Sequence, residues 1–408
     1  MMTAQQLPHL AVIDRTELSP EHSDVIRATL PLVGSKIDEI TPLFYSKMFA
    51  KHPELIADTF NRGNQKLGAQ QRALAASIAT FASMLVNPDA PDPRDLLERI
   101  GHKHASLGIT EDQYQIVHDN LFEAIVEVLG EDTVTPEVAE AWDAVYWIMA
   151  RVLIDFEKDL YSTAGVEAGD VFRRVVVDKR EDLSDTIVRF TVKAVDGSAL
   201  PAGRAGQYTS VGVALPDGAR QLRQYSLVAS EEGKLSFVVK RVLAEADAPA
   251  GEVSNWLGDY AQVGTELDAT VPFGDLVVDI DGTAPVVLLS AGIGTTPMMG
   301  ILAALHAHAS SREVVVVHCE SSEEADVFAP ERRALVDDLK GARLESIYSD
   351  AAKRLSIDTL DLPRDAQVFV CGGTGFLEDA RAQLRAAGFS DDAVNFELFA
   401  PNDWLLDG

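Results

Sequence analysis

Two glycine-containing turns are the first features of the sequence that could do chemistry. The run 286–297 has the pattern of a buried strand, a turn and a helix start, and 371–376 forms a second turn after an apolar run. Glycine lets the backbone approach a phosphate, and the free amides of a helix start can bind it. The first turn lacks the third glycine of the usual dinucleotide fingerprint, so a purely structural turn is the alternative. A threonine is expected to cap this helix, and Pro297 suits its first turn.

The segment Arg223–Ser226 has side chains suited to a ligand that combines a pyrophosphate with a ring. Its arginine can pair with a pyrophosphate, its tyrosine offers a ring face, and its serine offers a small hydroxyl at the reacting edge of a ring. The segment is expected at the end of a strand. Taken alone, it could be an ordinary strand and nothing more.

Among six histidines in the first 118 residues, His104 has the most informative surroundings. It shares a helical face with Leu97, Ile100 and Leu107, so it is expected on an apolar surface. Such a histidine is either a core residue with a hydrogen-bond partner or a ligand. His102 points elsewhere and is expected to face solvent.

Glu157 is the second polar residue on an apolar helical face. It falls on the same side as Tyr146, Ala150 and Leu153. Burial of an unpaired carboxylate is expensive, so a buried Glu157 needs a partner. The alternative is an exposed position near the end of the helix.

These residues are distributed over three regions of the chain, which differ in their pattern of apolar and polar residues. Residues 19–164 have helical periodicity, with a capping box at Thr110 and Gln113 and a helix start at Thr135–Pro136. Residues 169–280 contain short alternating runs punctuated by Gly, Pro and Asp, and 284–408 alternate strands with helices. The predicted fold is therefore multidomain, with an all-α domain, an antiparallel β-barrel or sandwich, and a doubly wound α/β domain.

Seven segments are predicted as strands. Four belong to the antiparallel region and three, read as continuously buried, to the α/β region. The predicted ranges are Phe172–Val177, Thr186–Ala194, Gln207–Leu215, Leu235–Val242, Pro285–Ser290, Glu313–His318 and Gln367–Cys371.

Composition narrows the class of partner. The formal net charge of −29 repels nucleic-acid phosphates and anionic lipid headgroups, which argues against both as partners. Cys319 and Cys371 each lie in a strongly apolar run and are expected to be buried thiols, which favours a reducing compartment. No apolar run reaches membrane-span length, and no signal-peptide pattern is present, so a cytoplasmic protein is expected.

The region from about Asp170 onward resembles the ferredoxin–NADP reductase family. The resemblance is carried, in order, by 206–208, 223–226, 251–257, 272–275, 292–297 and 371–376. It implies an FAD-binding barrel at 169–280 and a nicotinamide-nucleotide domain at 284–408. A flavin can take hydride and release single electrons, so the module implies a one-electron acceptor.

The resemblance also implies binding residues. Those for the flavin are Tyr208, Arg223, Gln224, Tyr225, Ser226 and Ser254. Those for the nicotinamide nucleotide are Gly292, Ile293, Gly294, Thr295, Thr296, Pro297, Cys371 and Gly372. The tail contributes Phe399, as the aromatic that covers the flavin ring, with Ala400 and Pro401. Relatives often have glycine where this chain has Ala400, which leaves the backbone path there open.

The helical region resembles the bacterial globins. The matching segments are 43–49, 60–62, Gln70 with Leu74, Lys103-His104 and 113–117. With the reductase module behind it, the whole chain after about Ser19 is similar to the flavohaemoglobins, a family of nitric oxide dioxygenases. The stretch before Ser19 is an extension without an explanation in the sequence.

This second resemblance implies haem-site roles. His104 becomes the proximal ligand of a b-type haem, and Tyr114 and Glu157 its hydrogen-bonding partners. On the distal side, Tyr45 and Gln70 donate hydrogen bonds to bound oxygen. Leu74 shapes the pocket and Phe60 packs on the haem. Lys103 either tunes potentials or is simply exposed, and Tyr45 and Gln70 could also be ordinary structural residues.

The implied reaction passes electrons from NAD(P)H through FAD to haem, and converts nitric oxide and O2 to nitrate. Glu320, Glu323 and Glu324 follow the second parallel strand, where acidic residues repel a 2′-phosphate, so NADH is expected over NADPH. Two alternatives are an NADH-dependent haem or ferric reductase and an oxygen- or nitric oxide-binding sensor or storage protein. Only small-molecule partners and a monomeric state are expected.

Overall fold

A computed structural model of the chain describes residues 7–58, 69–90, 92–229, 232–244, 249–349 and 354–399. These residues divide into two compact units, one with 7–172 and 214–223, the other with 173–213 and 224–399. The first unit contains the helices α1 Pro20–Ser35, α2 Ile37–Lys51, α3 Pro53–Asp58, α4 Ala69–Val86, α5 Arg94–Leu107, α6 Glu111–Leu129 and α7 Pro136–Ala164. The predicted all-α region is confirmed.

Local sequence signals account for the ends of these helices. The Thr110 hydroxyl and the Gln113 side chain form the predicted capping box of α6, and Thr135 caps α7 ahead of Pro136. Gly165 ends α7 in the left-handed conformation, at φ 70°, where a side chain would be strained. The predicted capping box at Thr110 and the predicted helix start at Thr135 are therefore confirmed.

Close packing brings α5 against α7. A Cβ on Gly101 of α5 would lie 2.5 Å from the Phe156 ring, so only glycine allows this approach of the two helices. Helices α2 and α6 also pack together, as do α1 and α7. The resulting core places α5, α6 and α7 side by side around His104.

Six strands form a closed barrel in the order β1-β2-β5-β4-β3-β6. They are β1 Phe172–Asp182, β2 Ile187–Ala194, β3 Tyr208–Ala214, β4 Arg220–Ala229, β5 Lys234–Lys240 and β6 Glu266–Thr270. The antiparallel prediction is confirmed. Strand β4 continues three residues past Ser226, so Arg223–Ser226 lies inside a strand instead of at its end. The helix α8, Glu252–Tyr260, begins directly after Gly251, as expected.

A parallel five-stranded sheet follows, in the order β11-β10-β7-β8-β9. Its strands are β7 Val286–Ala291, β8 Val314–Glu320, β9 Ala342–Tyr348, β10 Gln367–Gly372 and β11 Val394–Leu398. Its helices are α9 Thr295–Ala307, α10 Ala329–Asp338 and α11 Thr374–Ala386. The doubly wound α/β prediction is confirmed.

Strands β9 and β11 of the parallel sheet were absent from the sequence-based prediction, as was β6 of the barrel. Both β9 and β11 lie at the edges of the sheet. The residues of β9 alternate between exposed and half-buried over most of its length, and those of β11 are half-buried except for the buried Phe396. The three central strands are apolar because helices cover both of their faces. An edge strand carries charges instead, so it lacks the continuous apolar run by which the others were found.

Within the second unit, the barrel and the parallel sheet are in direct contact. A Cβ on Gly300 of α9 would lie 2.3 Å from the Leu227 carbonyl oxygen of β4, so the helix rests on the strand backbone. Val228 and Val238 of the barrel share a core with Met299 and Phe328. Gln224, Tyr225 and Ser226 of β4 and the start of α9 are therefore held in one compact unit.

Candidate functional site

Three helices bring His104, Tyr114 and Glu157 together. Glu157 Oε1 of α7 lies 2.8 Å from His104 Nδ1 of α5, and it accepts a hydrogen bond of 2.6 Å from the Tyr114 hydroxyl of α6. The Tyr114 hydroxyl is also 3.1 Å from His104 Nδ1. We call this triad the proximal network. The three residues form the cluster that the sequence indicated.

Burial and charge fit this arrangement. The Glu157 side chain is 3% exposed, so its partners replace the water that a carboxylate needs. Burial, reinforced by the nearby Glu157 carboxylate, raises the pKa of Tyr114 well above its ordinary value, so its hydroxyl stays protonated and donates. The hydroxyl of Tyr146 donates to the Tyr114 carbonyl at 2.7 Å and fixes the start of α6. The exposed alternative for Glu157 is wrong.

The histidine is prepared for a ligand on its other side. Nδ1 is turned to Glu157 and Tyr114, whereas no hydrogen bond of Nε2 occurs among the described residues. The His104 side chain is 32% exposed, in contrast to Glu157. A neutral imidazole whose far nitrogen is bound to a carboxylate is a good iron ligand, so these residues fit a haem.

His102 was expected to face solvent, and this expectation is wrong. Its ring is 3% exposed and meets Phe156 edge-on, with ring centroids 5.5 Å apart. The reason is the close approach at Gly101, which brings α7 over the face of α5 that holds His102. Helical periodicity shows which residues share a face, but it does not show how many faces are covered.

The distal candidates are only partly described. Tyr45 of α2 is 5% exposed, and its ring contacts those of Phe44 and Phe49, with centroids 4.7 and 5.6 Å away. Leu74 of α4 is half-buried. Phe60 and the side chain of Gln70 lie outside the described residues. Lys103 is exposed, which agrees with the interpretation of this residue as an ordinary surface lysine.

In the barrel, the predicted flavin segment presents a ring and polar groups. Tyr225 stacks on Phe237 with centroids 5.5 Å apart and planes inclined by 21°. Gln224 Nε2 donates to Ser210 Oγ at 3.1 Å, and Arg223 donates to the Leu222 carbonyl at 2.7 Å. These contacts hold the segment at the barrel wall, with Ser226 buried and the other three side chains half-buried.

Two further flavin candidates, Tyr208 and Ser254, lie against glycines whose missing side chains leave room for them. A Cβ on Gly274 would lie 2.9 Å from the Tyr208 ring, so this glycine makes room for the tyrosine. Ser254 Oγ accepts from the Val242 amide at 3.2 Å, and a Cβ on Gly251 would lie 2.6 Å from the same oxygen. The Ser254 hydroxyl therefore organises the loop in front of α8.

The two glycine turns of the α/β region touch each other. A Cβ on Gly294 would lie 2.3 Å from the Cys371 carbonyl oxygen, and one on Gly372 would lie 2.5 Å from the Phe376 ring. A 3₁₀ turn at Gly292–Gly294 leads directly into α9. Backbone amides at the start of α9 and the second turn thus border one crevice at the carboxyl ends of β7 and β10, where ligands of such sheets bind.

Side chains in this crevice differ from expectation in two ways. No threonine side chain caps α9: Gly294 is the capping residue, and Thr296 Oγ1 donates back to the Ile293 carbonyl at 3.0 Å. Cys371 is fully buried, so only its backbone borders the crevice. Both cysteines were expected to be buried. Cys319 is only half-buried because it lies near the end of β8.

The tail reaches the end of β11 within the described residues. Phe399 follows this strand and is 50% exposed, as a ring available to a ligand requires. Ala400 and Pro401 lie outside the described residues.

The sequence-based prediction missed a buried polar group behind the first glycine turn. Arg332 is 1% exposed, and one of its nitrogens donates to Thr295 Oγ1 at 3.1 Å. A signal for it was present: Phe328, Arg332 and Val336 are spaced four residues apart, so the arginine lies in the apolar stripe of α10. An arginine in such a stripe needs buried partners.

Comparison with known proteins relates the chain to a two-module family. The globin family model matches residues 43–153. Flavohemoproteins of Halalkalibacterium halodurans, Rhizobium meliloti and Bordetella parapertussis are 34%, 33% and 36% identical to the chain; each match spans 94% of the chain and 97% to 99% of the relative.

Solved structures show the same relationship. A flavohemoglobin from Malassezia yamatoensis, with bound FAD and heme, superposes with a TM-score of 0.85 at 35% identity, over 94% of this chain and all of that chain. The FAD/NAD-binding domain of a nitric oxide dioxygenase from Vibrio cholerae superposes with a TM-score of 0.53 at 31% identity, over 56% of this chain and 99% of that chain. The chain therefore belongs to the flavohemoprotein family, in which a globin is joined to a ferredoxin reductase-like module.

Proposed function

We propose that this protein is a nitric oxide dioxygenase that uses NADH, FAD and a b-type haem to convert nitric oxide and O2 to nitrate. The observation that carries the proposal is the proximal network. An imidazole hydrogen-bonded to a buried carboxylate is a stronger electron donor than one bonded to a carbonyl group. A strong donor favours oxygen chemistry over simple reversible storage of oxygen.

When bound, haem supplies the site for O2 and FAD converts hydride into single electrons. His104 would hold the iron through Nε2, and Glu157 and Tyr114 would keep the imidazole oriented. Tyr45 would donate a hydrogen bond from its hydroxyl to a diatomic ligand in the pocket, and Gln70 would be a second donor. Leu74 and Phe60 would form pocket walls, and Lys103 is exposed beside His104. These roles agree with the burial of Tyr45 and with the hydrogen bonds of the triad.

The flavin is assigned to the barrel. Arg223 pairs with its pyrophosphate, Gln224, Tyr225 and Ser226 line its ring, and Tyr208 and the Ser254 loop complete the site. Phe399, followed by Ala400 and Pro401, covers the ring from the tail. The stacking of Tyr225 on Phe237 supports this assignment, because it holds the tyrosine ring in a fixed plane.

The nicotinamide nucleotide is assigned to the crevice between the two glycine turns, on Gly292–Pro297 and the Cys371–Gly372 backbone. Glu320 ends β8, and one of its carboxylate oxygens is 4.0 Å from the place where a Cβ on Gly292 would lie. This negative charge beside the turn disfavours a 2′-phosphate. We therefore propose NADH over NADPH, and comparison of the two specificity constants tests it.

Relatives support the reaction class. One solved neighbour carries FAD and heme, and another is the FAD/NAD-binding domain of a nitric oxide dioxygenase. The decisive experiment measures nitrate formed per NADH consumed, with nitric oxide and O2 supplied to the purified protein. Each conversion of nitric oxide and O2 to nitrate takes one electron and NADH supplies two, so about two nitrates per NADH would support dioxygenation. NADH consumption without nitrate would indicate a ferric reductase, and no steady NADH consumption would indicate a sensor or storage protein.

The distal assignment has its own test. Tyr45→Phe removes one hydroxyl and leaves the ring contacts with Phe44 and Phe49. We expect O2 to dissociate about tenfold faster, because a hydrogen bond to developing negative charge is lost. Tyr260→Phe is the matched control, since Tyr260 is 65% exposed. Unchanged O2 dissociation and nitric oxide turnover in Tyr45→Phe would contradict the assignment.

A further inference from the structure

A network of polar side chains lies behind the first glycine turn, and the reaction above does not use it. We call it the Arg332 network. Its members, with their exposed fractions, are Ser290 at 1%, Thr295 at 3%, His318 at 1%, Asp326 at 5% and Arg332 at 1%. All five are buried, and they come from β7, α9, β8, the loop after β8, and α10.

The arginine joins two of these elements. One terminal nitrogen of Arg332 donates to Thr295 Oγ1 at 3.1 Å, and the other donates to the Asp326 carboxylate. The Tyr348 hydroxyl donates to the same carboxylate at 3.4 Å. Arg332 therefore links the acidic loop that holds Asp326 to the first residue of α9.

The histidine fills the remaining side of the network. His318 Nδ1 lies 2.9 Å from Ser290 Oγ, and Nε2 lies 3.7 Å from Asp326. Burial, together with the nearby Arg332 charge, lowers the pKa of His318 to about 3, so the ring is neutral at physiological pH. The pair of formal charges in the network is thus Arg332 and Asp326.

A buried ion pair of this kind is weak evidence for stability. Well-packed apolar residues at the same place often stabilise a fold as much or more. The Nε atom of Arg332 is also buried and has no hydrogen-bond partner in the described structure, which is a further cost. Phe328 and Val336, one turn away on either side, show that this face of α10 is otherwise apolar. The arrangement therefore calls for a role besides packing.

The target of the arginine indicates that role. Thr295 is the first residue of α9, directly after the turn assigned to the pyrophosphate of the nicotinamide nucleotide. On its other side this turn rests on the Cys371 backbone at Gly294. The turn is thus held between a second glycine turn and the Arg332 network. Because Thr295 Oγ1 accepts from Arg332, its hydroxyl is committed to the network.

We propose that Arg332 is a positioning residue for the nicotinamide nucleotide. Through Thr295 it fixes the first turn of α9, so that the backbone amides already point at the pyrophosphate before the nucleotide binds. A binding site that is ordered in advance loses less entropy on association. The inference rests on the proposed use of this turn by the nucleotide. Arg332 should therefore affect the affinity for the nucleotide and not the rate of hydride transfer.

The experiment uses the full-length, cofactor-loaded protein and ADP-ribose, a fragment that binds without transferring hydride. Calorimetry gives its Kd for wild type, Arg332→Met, Thr295→Val and the double variant. Stopped-flow reduction of FAD by NADH gives the limiting rate at saturation. The control is Arg333→Met, because Arg333 is the exposed neighbour on the same helix.

We expect Arg332→Met to raise the Kd of ADP-ribose and the KM for NADH about tenfold, with the limiting rate of FAD reduction unchanged. Thr295→Val should raise the Kd to a similar extent, and the double variant should be no worse than Arg332→Met alone, because both act through one contact. Arg332→Lys, which keeps the charge, should recover part of the affinity. Arg333→Met should match wild type.

Three results would overturn the inference. They are an unchanged Kd in Arg332→Met, strictly additive effects in the double variant, or a loss confined to the limiting rate. If Arg332→Met does not fold, Thr295→Val, which keeps the ion pair, decides the matter: wild-type affinity there overturns the proposal. Wild-type protein that fails to bind ADP-ribose would instead disprove the assigned nucleotide site itself.

Discussion

At the scale of single residues, hydrogen-bond partners separate candidates that the sequence treats alike. His102 and His104 differ by two positions on one helix. The first is packed against Phe156, whereas the second has a carboxylate at Nδ1. The carboxylate distinguishes a candidate iron ligand from a core histidine, because it sets which nitrogen is available to the metal.

The proximal network leads to a graded prediction. Glu157→Gln removes the charge that strengthens His104 as a donor, so we expect nitric oxide dioxygenation to fall about tenfold to a hundredfold. Tyr114→Phe leaves the 2.8 Å contact between Glu157 and His104 in place and should cost less. Turnover and the iron–histidine stretching frequency of the ferrous protein, measured together, check both variants. Equal losses in the two variants would show that the carboxylate has no special role.

His318 predicts a specific dependence of stability on acid. Its folded-state pKa of about 3 lies below its ordinary value of 6.5, so between these pH values the unfolded chain takes up a proton that the folded chain does not. Acidification through this window should therefore lower the free energy of unfolding, with a slope of up to about 1.4 kcal/mol per pH unit from this group. Burial is the main reason why the ring stays neutral, and repulsion by the Arg332 charge reinforces it.

The measurement compares the free energy of unfolding of wild type and His318→Gln between about pH 6 and about pH 4, with flavin fluorescence as the signal for unfolding. The variant should lose stability less steeply with acid than wild type. Parallel curves for the two proteins would show that His318 does not contribute.

At the scale of elements, the N-terminal extension has a structural role. Leu10, Ile13 and Leu18 are buried, and the Leu10 amide donates to Glu98 of α5 at 2.8 Å. Arg15 donates to the Asn87 carbonyl at the end of α4. This segment therefore lies as a strap on the helix that bears His104.

The strap gives a prediction about stability. Leu10→Ala should destabilise the helical unit by about 2 kcal/mol, since a side chain only 4% exposed loses its apolar contacts. Val12→Ala is the matched control, because Val12 is 79% exposed and its truncation should cost less than about 0.5 kcal/mol. Thermal loss of the haem absorbance band reports on this unit. Similar melting curves for both variants would mean that the strap is not held by Leu10.

At the scale of the whole molecule, the acidic surface should affect the approach of the proposed substrates to different extents. Nitric oxide and O2 are neutral, whereas NADH is an anion that approaches a chain of formal charge −29. Among the described residues, no helix is long and apolar enough to cross a bilayer. Long-range repulsion of the nucleotide should thus be the main electrostatic effect on turnover.

Salt tests this expectation. Raising the ionic strength from about 10 mM to about 150 mM shortens the Debye length from about 30 Å to about 8 Å. The second-order rate of FAD reduction by NADH should therefore increase a few-fold, and the rate of nitric oxide consumption at limiting nitric oxide should stay constant. A decrease of the NADH rate with salt would mean that a local positive field at the nucleotide site dominates.

Much of the architecture was predictable because it is encoded locally. Capping residues, the period of apolar residues and glycine turns act over a few positions. They identified the helical region, the barrel strands except β6, and the three central strands of the parallel sheet. The strands β9 and β11 escaped because edge positions do not require continuous apolar runs. Because these signals are local, the sequence pointed to both glycine turns but not to the contact between Gly294 and the Cys371 backbone.

By itself, the sequence determined the order of modules and the residue types that could hold haem, flavin and nucleotide. Only the tertiary structure decided that Nδ1 of His104 contacts Glu157 and that Glu157 is buried. It also decided that His102 is packed against Phe156 and that Arg332 donates to Thr295. Each of these depends on side chains from helices or strands that are far apart in the chain. Local periodicity carries no information about such partners, and the energetic penalty for burying polar groups without them explains why the fold provides them.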